Sequence, residues 1–201
     1  MKFGTLFCAS RPLLGLALIL ACFEPRAHAQ GAAGKWSHFK FHAGQSFKYD
    51  MKSERGLKGW LSLKVEEGGK DGLKVTIAGK WVSDFSETAV LKPGMDAQQF
   101  LGTFKNPDIM NAALTLCDVD AAVLEHATWK DGFHWAQGDN TVDIKGEKEV
   151  AGVKGLLVNS TSKLFGKVKK KTYAVNLDLP LPLFAEVPAA NDTWTYSLVQ
   201  K

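Results

Sequence analysis

The sequence predicts an α+β domain. Its core is a curved, mostly antiparallel β-sheet, an open or incomplete barrel, with two or three short helices inserted between two strand groups and packed on the concave face. Three observations predict it. Runs of alternating apolar and polar residues fill both halves of the chain. Helical spacing of apolar residues interrupts them once, from about Met95 to Leu124. Glycine-rich turns sit close enough together to join neighbouring strands antiparallel. Strands, then helices, then strands is an α+β order, and helices laid on one face of a bent sheet bury both.

The first segment is read as an export signal rather than as part of that domain. Lys2 and Arg11 supply positive charge, and Pro12 to Cys22 is uncharged and apolar. That run has the length of a signal-peptide core and falls short of the ~20 residues a transmembrane helix needs. Ala27-His28-Ala29 before Gln30 is an A-x-A cleavage site, with Pro25 breaking the helix upstream. Residues 1–29 are thus expected to be removed after Ala29, leaving one domain over 30–201 in the periplasm or secreted. A competing site is Ile19-Leu20-Ala21-Cys22, which resembles a lipobox. Lipidation at Cys22 would make the protein a membrane-anchored lipoprotein, and is the one route to membrane association the sequence offers.

Cleavage after Ala29 leaves 172 residues with 22 basic and 20 acidic side chains, and Cys117 as the one cysteine. A lone cysteine forms no internal disulfide, so the fold must rest on its core, which suits a bacterial envelope protein. Among the basic residues only Arg55 is an arginine. Arginine forks are the usual readers of phosphates and carboxylates, so a nucleic-acid or nucleotide partner is not expected.

The elements follow in order. Phe47, Tyr49 and Met51 alternate with polar residues, as do Leu61, Leu63 and Val65, and Leu73, Val75 and Ile77. The last two runs flank Glu67–Gly72, whose glycines suit a hairpin turn, so the three runs predict a meander with one wet face. Lys92-Pro93-Gly94 is a break. Phe100, Leu101 and Phe104 then take helical spacing. Asn106-Pro107-Asp108 reads as a helix start, with Asn106 as N-cap and Pro107 at the first helical position. Ile109, Ala113 and Leu116 make one stripe of that helix, with Met110, Leu114 and Cys117 beside it; a continuation or second helix covers Ala121–Leu124.

Strands return after Thr128. Trp129, Phe133 and Trp135 surround a tight turn at Lys130-Asp131-Gly132, and Gln137–Asn140 is a second turn. Val142 and Ile144 alternate with Asp143 and Lys145. Gly152, Gly155, Leu156 and Val158 suggest a strand with a bulge or a close backbone approach. Phe165-Gly166-Lys167 turns the chain into a strand over Tyr173, Val175, Leu177 and Leu179. The prolines in Leu179–Leu183 exclude a central strand there. Trp194, Tyr196 and Leu198 form the last strand.

Export signal, strand–helix–strand order and a disulfide-free fold together resemble periplasmic carrier-like proteins with an incomplete β-barrel, such as the lipoprotein localisation factor superfamily. The likeness is one of architecture and spans most of the domain. It implies an apolar cavity between sheet and helices that carries a lipid or a lipid-modified protein. Phe100, Leu101, Phe104, Ile109, Met110 and Leu114 would line it.

Other constellations have plainer readings. His38 and His42, four apart, could share a metal only with a third ligand, and no H-E-x-x-H or C-x-x-C accompanies them, so no metal is expected. Cys117 reads as a small hydrophobe on an apolar stripe rather than a nucleophile. Lys167, Lys169, Lys170 and Lys171 read as a hairpin end and charged edge, with anionic surfaces as the alternative partner. The six tryptophans read mainly as core, with Trp81 extending the Leu73-Val75-Ile77 stripe and Trp60 facing away from Leu61. Asn159 and Asn191 head sequons that matter only in a eukaryotic secretory pathway. No nucleophile elbow, phosphate loop or dinucleotide fingerprint is present, and no cofactor or catalytic residue is predicted.

The expected function is therefore a non-enzymatic, exported binding protein for an apolar or lipid-like ligand. The alternative is an envelope assembly module that meets a protein partner through its surface. A hydrolase comes third, and would need His126 or His134 beside an acid in a cleft.

Overall fold

The computed structural model describes residues 35–201 apart from 82, 93, 94, 96, 118, 165, 166, 190 and 191. The segment read as an export signal, including Cys22 and Ala29, lies outside the described residues, as do the side chains of Leu114 and Cys117.

Period-two alternation builds the first half. Strands β1 (Ser46–Ser53), β2 (Lys58–Glu67), β3 (Leu73–Lys80) and β4 (Asp84–Leu91) form an antiparallel meander. β1 buries every second residue, Phe47, Tyr49, Met51 and Ser53. The β2–β3 turn contains one turn of 3-10 helix, Gly69–Asp71. Gly72 has φ 122 there, and a side chain on it would collide with the Leu91 carbonyl.

β4 adds a fourth strand to the three the alternation predicts. Its inward positions are Phe85, Glu87, Ala89 and Leu91. A glutamate in the middle of that row breaks the apolar stripe.

Three helices follow, α1 (Ala97–Leu101), α2 (Pro107–Cys117) and α3 (Ala121–His126). α2 starts where the sequence places it. Asn106 Oδ1 accepts the Asp108 N–H at 2.8 Å, the bond expected of an N-cap. Pro107 opens the helix, where its missing N–H costs nothing.

The second half is a six-strand meander: β5 (Phe133–Gln137), β6 (Asn140–Val150), β7 (Val153–Leu164), β8 (Lys167–Val175), β9 (Phe184–Ala189) and β10 (Asp192–Gln200). Gly138 (φ 60) turns β5 into β6. Ala151 (φ 50) and Gly152 (φ 74) make the two-residue turn between Val150 and Val153, so Gly152 belongs to a turn rather than to the strand. Gly155 is the close approach: a Cβ on it would sit 2.9 Å from both the Val175 carbonyl carbon and Leu183 Cδ1.

Several expectations are corrected here. Trp129 lies buried before β5 rather than in a strand. Leu177 and Leu179 follow the end of β8 and belong to the proline-containing loop that runs to Leu183. β9 forms despite Pro188, which lies beyond Glu186, the last β9 residue paired to β8. There only β10 flanks the strand, through Thr193. The lysine run, by contrast, stands on an open strand edge as expected: Lys167–Lys171 pair with β7 alone, because β9 joins β8 only over Thr172–Ala174. The turn predicted at Phe165-Gly166 lies outside the described residues.

The two meanders are joined by β1 and β10, with Tyr49 opposite Leu198 and Met51 opposite Tyr196. Among the described residues this gives one sheet of ten strands in the order β4-β3-β2-β1-β10-β9-β8-β7-β6-β5, every pairing antiparallel. It does not close into a barrel, and β4 and β5 are its edges. Curvature brings β6 against β10 although three strands separate them in the ladder. The helices leave one edge strand, cover the concave face and return to the other. α2 packs on β3, β4 and β9, and α3 packs on β6.

Candidate functional site

The helical cover is pinned at the start of α2. Glu87 on β4 turns its carboxylate inward. Its Oε2 accepts the backbone N–H of Lys105 and of Asn106, each at 3.1 Å. The residue that hides β4 from the alternation is thus the one that fastens the helices to it. A negative charge at these N–H groups also complements the positive end of α2.

Beneath α1 lies an aromatic seam. Phe100 meets Phe39 at 5.3 Å and Phe104 at 5.0 Å between ring centroids, and Phe39 meets Phe41 at 4.9 Å. Phe39 and Phe41 belong to an N-terminal segment strapped to the proline-containing loop. The N–H of Ser37 bonds the Leu177 carbonyl and that of Phe39 the Pro180 carbonyl, both at 2.9 Å, while the Trp36 indole N–H reaches the Leu179 carbonyl at 2.7 Å. Phe39 takes φ 61 to turn its ring inward. Of the residues predicted to line a ligand, Phe100, Leu101, Phe104 and Ile109 are buried in this seam and the adjoining core, while Met110 is 41% exposed. The Leu114 side chain lies outside the described ones.

A second, polar feature lies where α3 meets β6, β7 and β8. Facing rows on these strands change character along the sheet. Ile144, Val158 and Tyr173 form an apolar row. The next row is Val142, Ser160 and Lys171, and beyond it Ser162 faces Lys169. Asp120, which precedes α3, drops onto the middle row. Lys171 Nζ donates to its Oδ1 at 2.6 Å and Ser160 Oγ donates to its Oδ2 at 2.5 Å. Lys171 is 6% exposed and the Asp120 side chain 13%. Burying either charge alone would be costly; paired and hydrogen-bonded, the two are tolerated. An open cavity of about 350 Å³ adjoins the pair, lined also by Asn140, Ser162, Lys163 and Lys169. Reading the lysine run as exposed missed this. The usable signal was parity: Lys169 and Lys171 share the face of buried Tyr173.

The histidines are placed apart. The His38 ring packs on Trp36 at 4.5 Å, and its Nε2 is buried without a hydrogen-bond partner. Burial pushes its pKa down to about 4. His42 is exposed. Among the described residues no group of three or more His, Cys, Asp or Glu side chains could hold a metal ion. His134 Nδ1 lies 2.9 Å from Asp143 Oδ1 on the exposed β5–β6 hairpin, and His126 stacks on Trp135 at 4.4 Å. The His134–Asp143 contact lies on the surface rather than in a cleft.

The tryptophans divide. Trp36, Trp129 and Trp194 are buried, and Trp81 stacks on Trp194 at 3.9 Å. Trp60 faces away from Leu61, under the Lys48 ammonium at 5.9 Å.

The geometry defines a class: an open antiparallel half-barrel whose concave face is covered by inserted helices and bordered at one end by a basic cleft. No protein-family model, curated protein or solved structure matches the chain.

Proposed function

We propose that this chain is an exported, non-enzymatic protein of the bacterial envelope that takes an apolar or lipid-like ligand between sheet and helices, in the manner of the carrier-like half-barrels it resembles. One observation carries the reading. The sheet stays open between β4 and β5, and its apolar face is covered by three short helices, the longest of 11 residues. Helices this short have little stability of their own and hold their place through packing. Their cover is fastened at β4 by a few hydrogen bonds to Glu87, so it can move without breaking the strand ladder. An apolar chain would replace the contacts of Phe100 and Phe104 with equivalent ones, a displacement close to neutral in buried area.

The test is a thermal-shift titration of the purified, lipid-stripped protein with palmitate and with phosphatidylglycerol in detergent. Ligand at 100 times its Kd adds about 2.7 kcal/mol to stability, and the expected result is a saturable rise in Tm for one or both. Native mass spectrometry of protein taken from its host supplies the second readout. No rise with either lipid, together with no bound lipid in the native mass, overturns the reading.

A further inference from the structure

We propose that the cavity between α3 and the ends of β6, β7 and β8 binds a phosphate-class oxyanion. Its volume, about 350 Å³, falls within the range of small-molecule sites. Three lysines line it, Lys163, Lys169 and Lys171, with Asn140 and Ser162 as neutral hydrogen-bonding groups and Asp120 as the one carboxylate among the described lining residues. That carboxylate is already engaged on both oxygens, by Lys171 and by Ser160. Lys163 reaches Asp139 at 3.3 Å. Lys169 has no carboxylate within 4.0 Å among the described residues, so the cleft carries positive charge in excess.

Lysines facing inward on a strand often protect a sheet edge. Lys169 and Lys171 do lie on such an edge, since β9 pairs with β8 only over Thr172–Ala174, but that role asks for charge alone and not for a cavity to which Lys163 of β7 also contributes. Packing does not require it either, since the neighbouring row places Ile144, Val158 and Tyr173 at the equivalent positions. What remains is a cavity lined by three lysines. Lysine binds phosphate as a point charge from any direction, without the planar fork of arginine. The Asp120–Lys171 pair fixes the floor of the cavity and leaves Lys169 and Lys163 at its rim.

The oxyanion can belong to a soluble phosphate ester or to an amphiphile whose tail reaches the apolar row beside the cleft. The proposal does not rest on the apolar-ligand reading: palmitate failing to bind leaves it intact, and phosphate failing to bind leaves that reading intact.

The experiment is an amide NMR titration of the full protein with sodium phosphate, glycerol 3-phosphate and dihexanoyl phosphatidic acid below its micelle concentration. Sodium chloride at matched ionic strength is the control. Saturable shifts are expected at Asp120, Asn140, Ser162 and Lys169–Lys171 with the phosphates and not with chloride. Lys163→Gln/Lys169→Gln should weaken them at least tenfold, and Lys169→Gln alone serves if the double variant does not fold. Stronger binding of phosphatidic acid than of glycerol 3-phosphate assigns the site to a headgroup, and equal binding to a soluble ester. Shifts reproduced by chloride, shifts confined to other surfaces, no binding, or variants that bind like the parent each overturn the proposal.

Discussion

Lys171 Nζ lies 2.6 Å from Asp120 Oδ1, and the two residues meet where the helical cover rests on the sheet. One stands on β8, the other at the entry to α3. The contact therefore ties the last helix to the sheet. Asp120→Asn or Lys171→Met should each destabilise the protein by about 3 kcal/mol, because each leaves a buried charge without its main partner. Asp120→Leu/Lys171→Met should recover much of that loss. Urea denaturation of all three variants measures the coupling, and strictly additive losses would refute it.

Glu87 fastens α2 at its start. Glu87→Gln keeps the shape and loses the charge, and a cost of about 1–2 kcal/mol is expected. Glu87→Ala should cost more and act locally. Hydrogen exchange should rise across α2 while the amides of β1 and β10 stay protected. Uniform loss of protection would mean that the helices and sheet open as one unit.

His38 makes stability depend on pH. Its folded pKa, about 4, lies below the ordinary 6.5, so the unfolded chain binds the proton more readily. The stabilising contribution is complete above pH 6.5 and is lost as pH falls from there through 4. Its full size is at most about 3 kcal/mol. Carboxylates titrate over part of the same range, so the informative quantity is the difference between parent and His38→Phe. That difference should shift in favour of the variant between pH 7 and pH 4. Parallel stability curves would show that the ring is more solvated than its packing on Trp36 implies.

Gly155 carries a steric demand on an ordinary strand position. Gly155→Ala would place a methyl group 2.9 Å from the Val175 carbonyl carbon and Leu183 Cδ1, and should cost about 1–3 kcal/mol. Gly146→Ala meets open space but must hold φ 73, so its cost is set by backbone conformation alone and should be about 1 kcal/mol. Thermal denaturation distinguishes them, since Leu183→Val, which relieves the side-chain contact but not the Val175 backbone contact, should recover part of the first loss and none of the second.

The parts of the fold legible in the sequence are the local ones. β1, β2 and β3 alternate cleanly because one face is wet, and α2 announces its start through Asn106 and Pro107. β4 was hidden by Glu87, a charge facing inward to serve helix termini elsewhere in the chain. β9 was hidden by Pro188, which is tolerated only because β8 has already left its side. The pairing of β1 with β10 has no local signature at all. Nor does that of Asp120 with Lys171: period two says which lysines share a face, but not that an aspartate descends upon them.

Synthesis runs from β1 toward β10, and these two strands are partners. Tyr49 is made long before its partner Leu198. Until the final nine residues of β10 arrive, β1 presents a row of unpaired backbone groups beside an apolar face. A nascent chain therefore carries a sticky edge until β10 is made, and closure of that pair must be slow relative to the local meanders. Such a chain gains from a holding chaperone until β10 emerges, and a truncation just before β10 should convert it from a folded protein into an aggregating one.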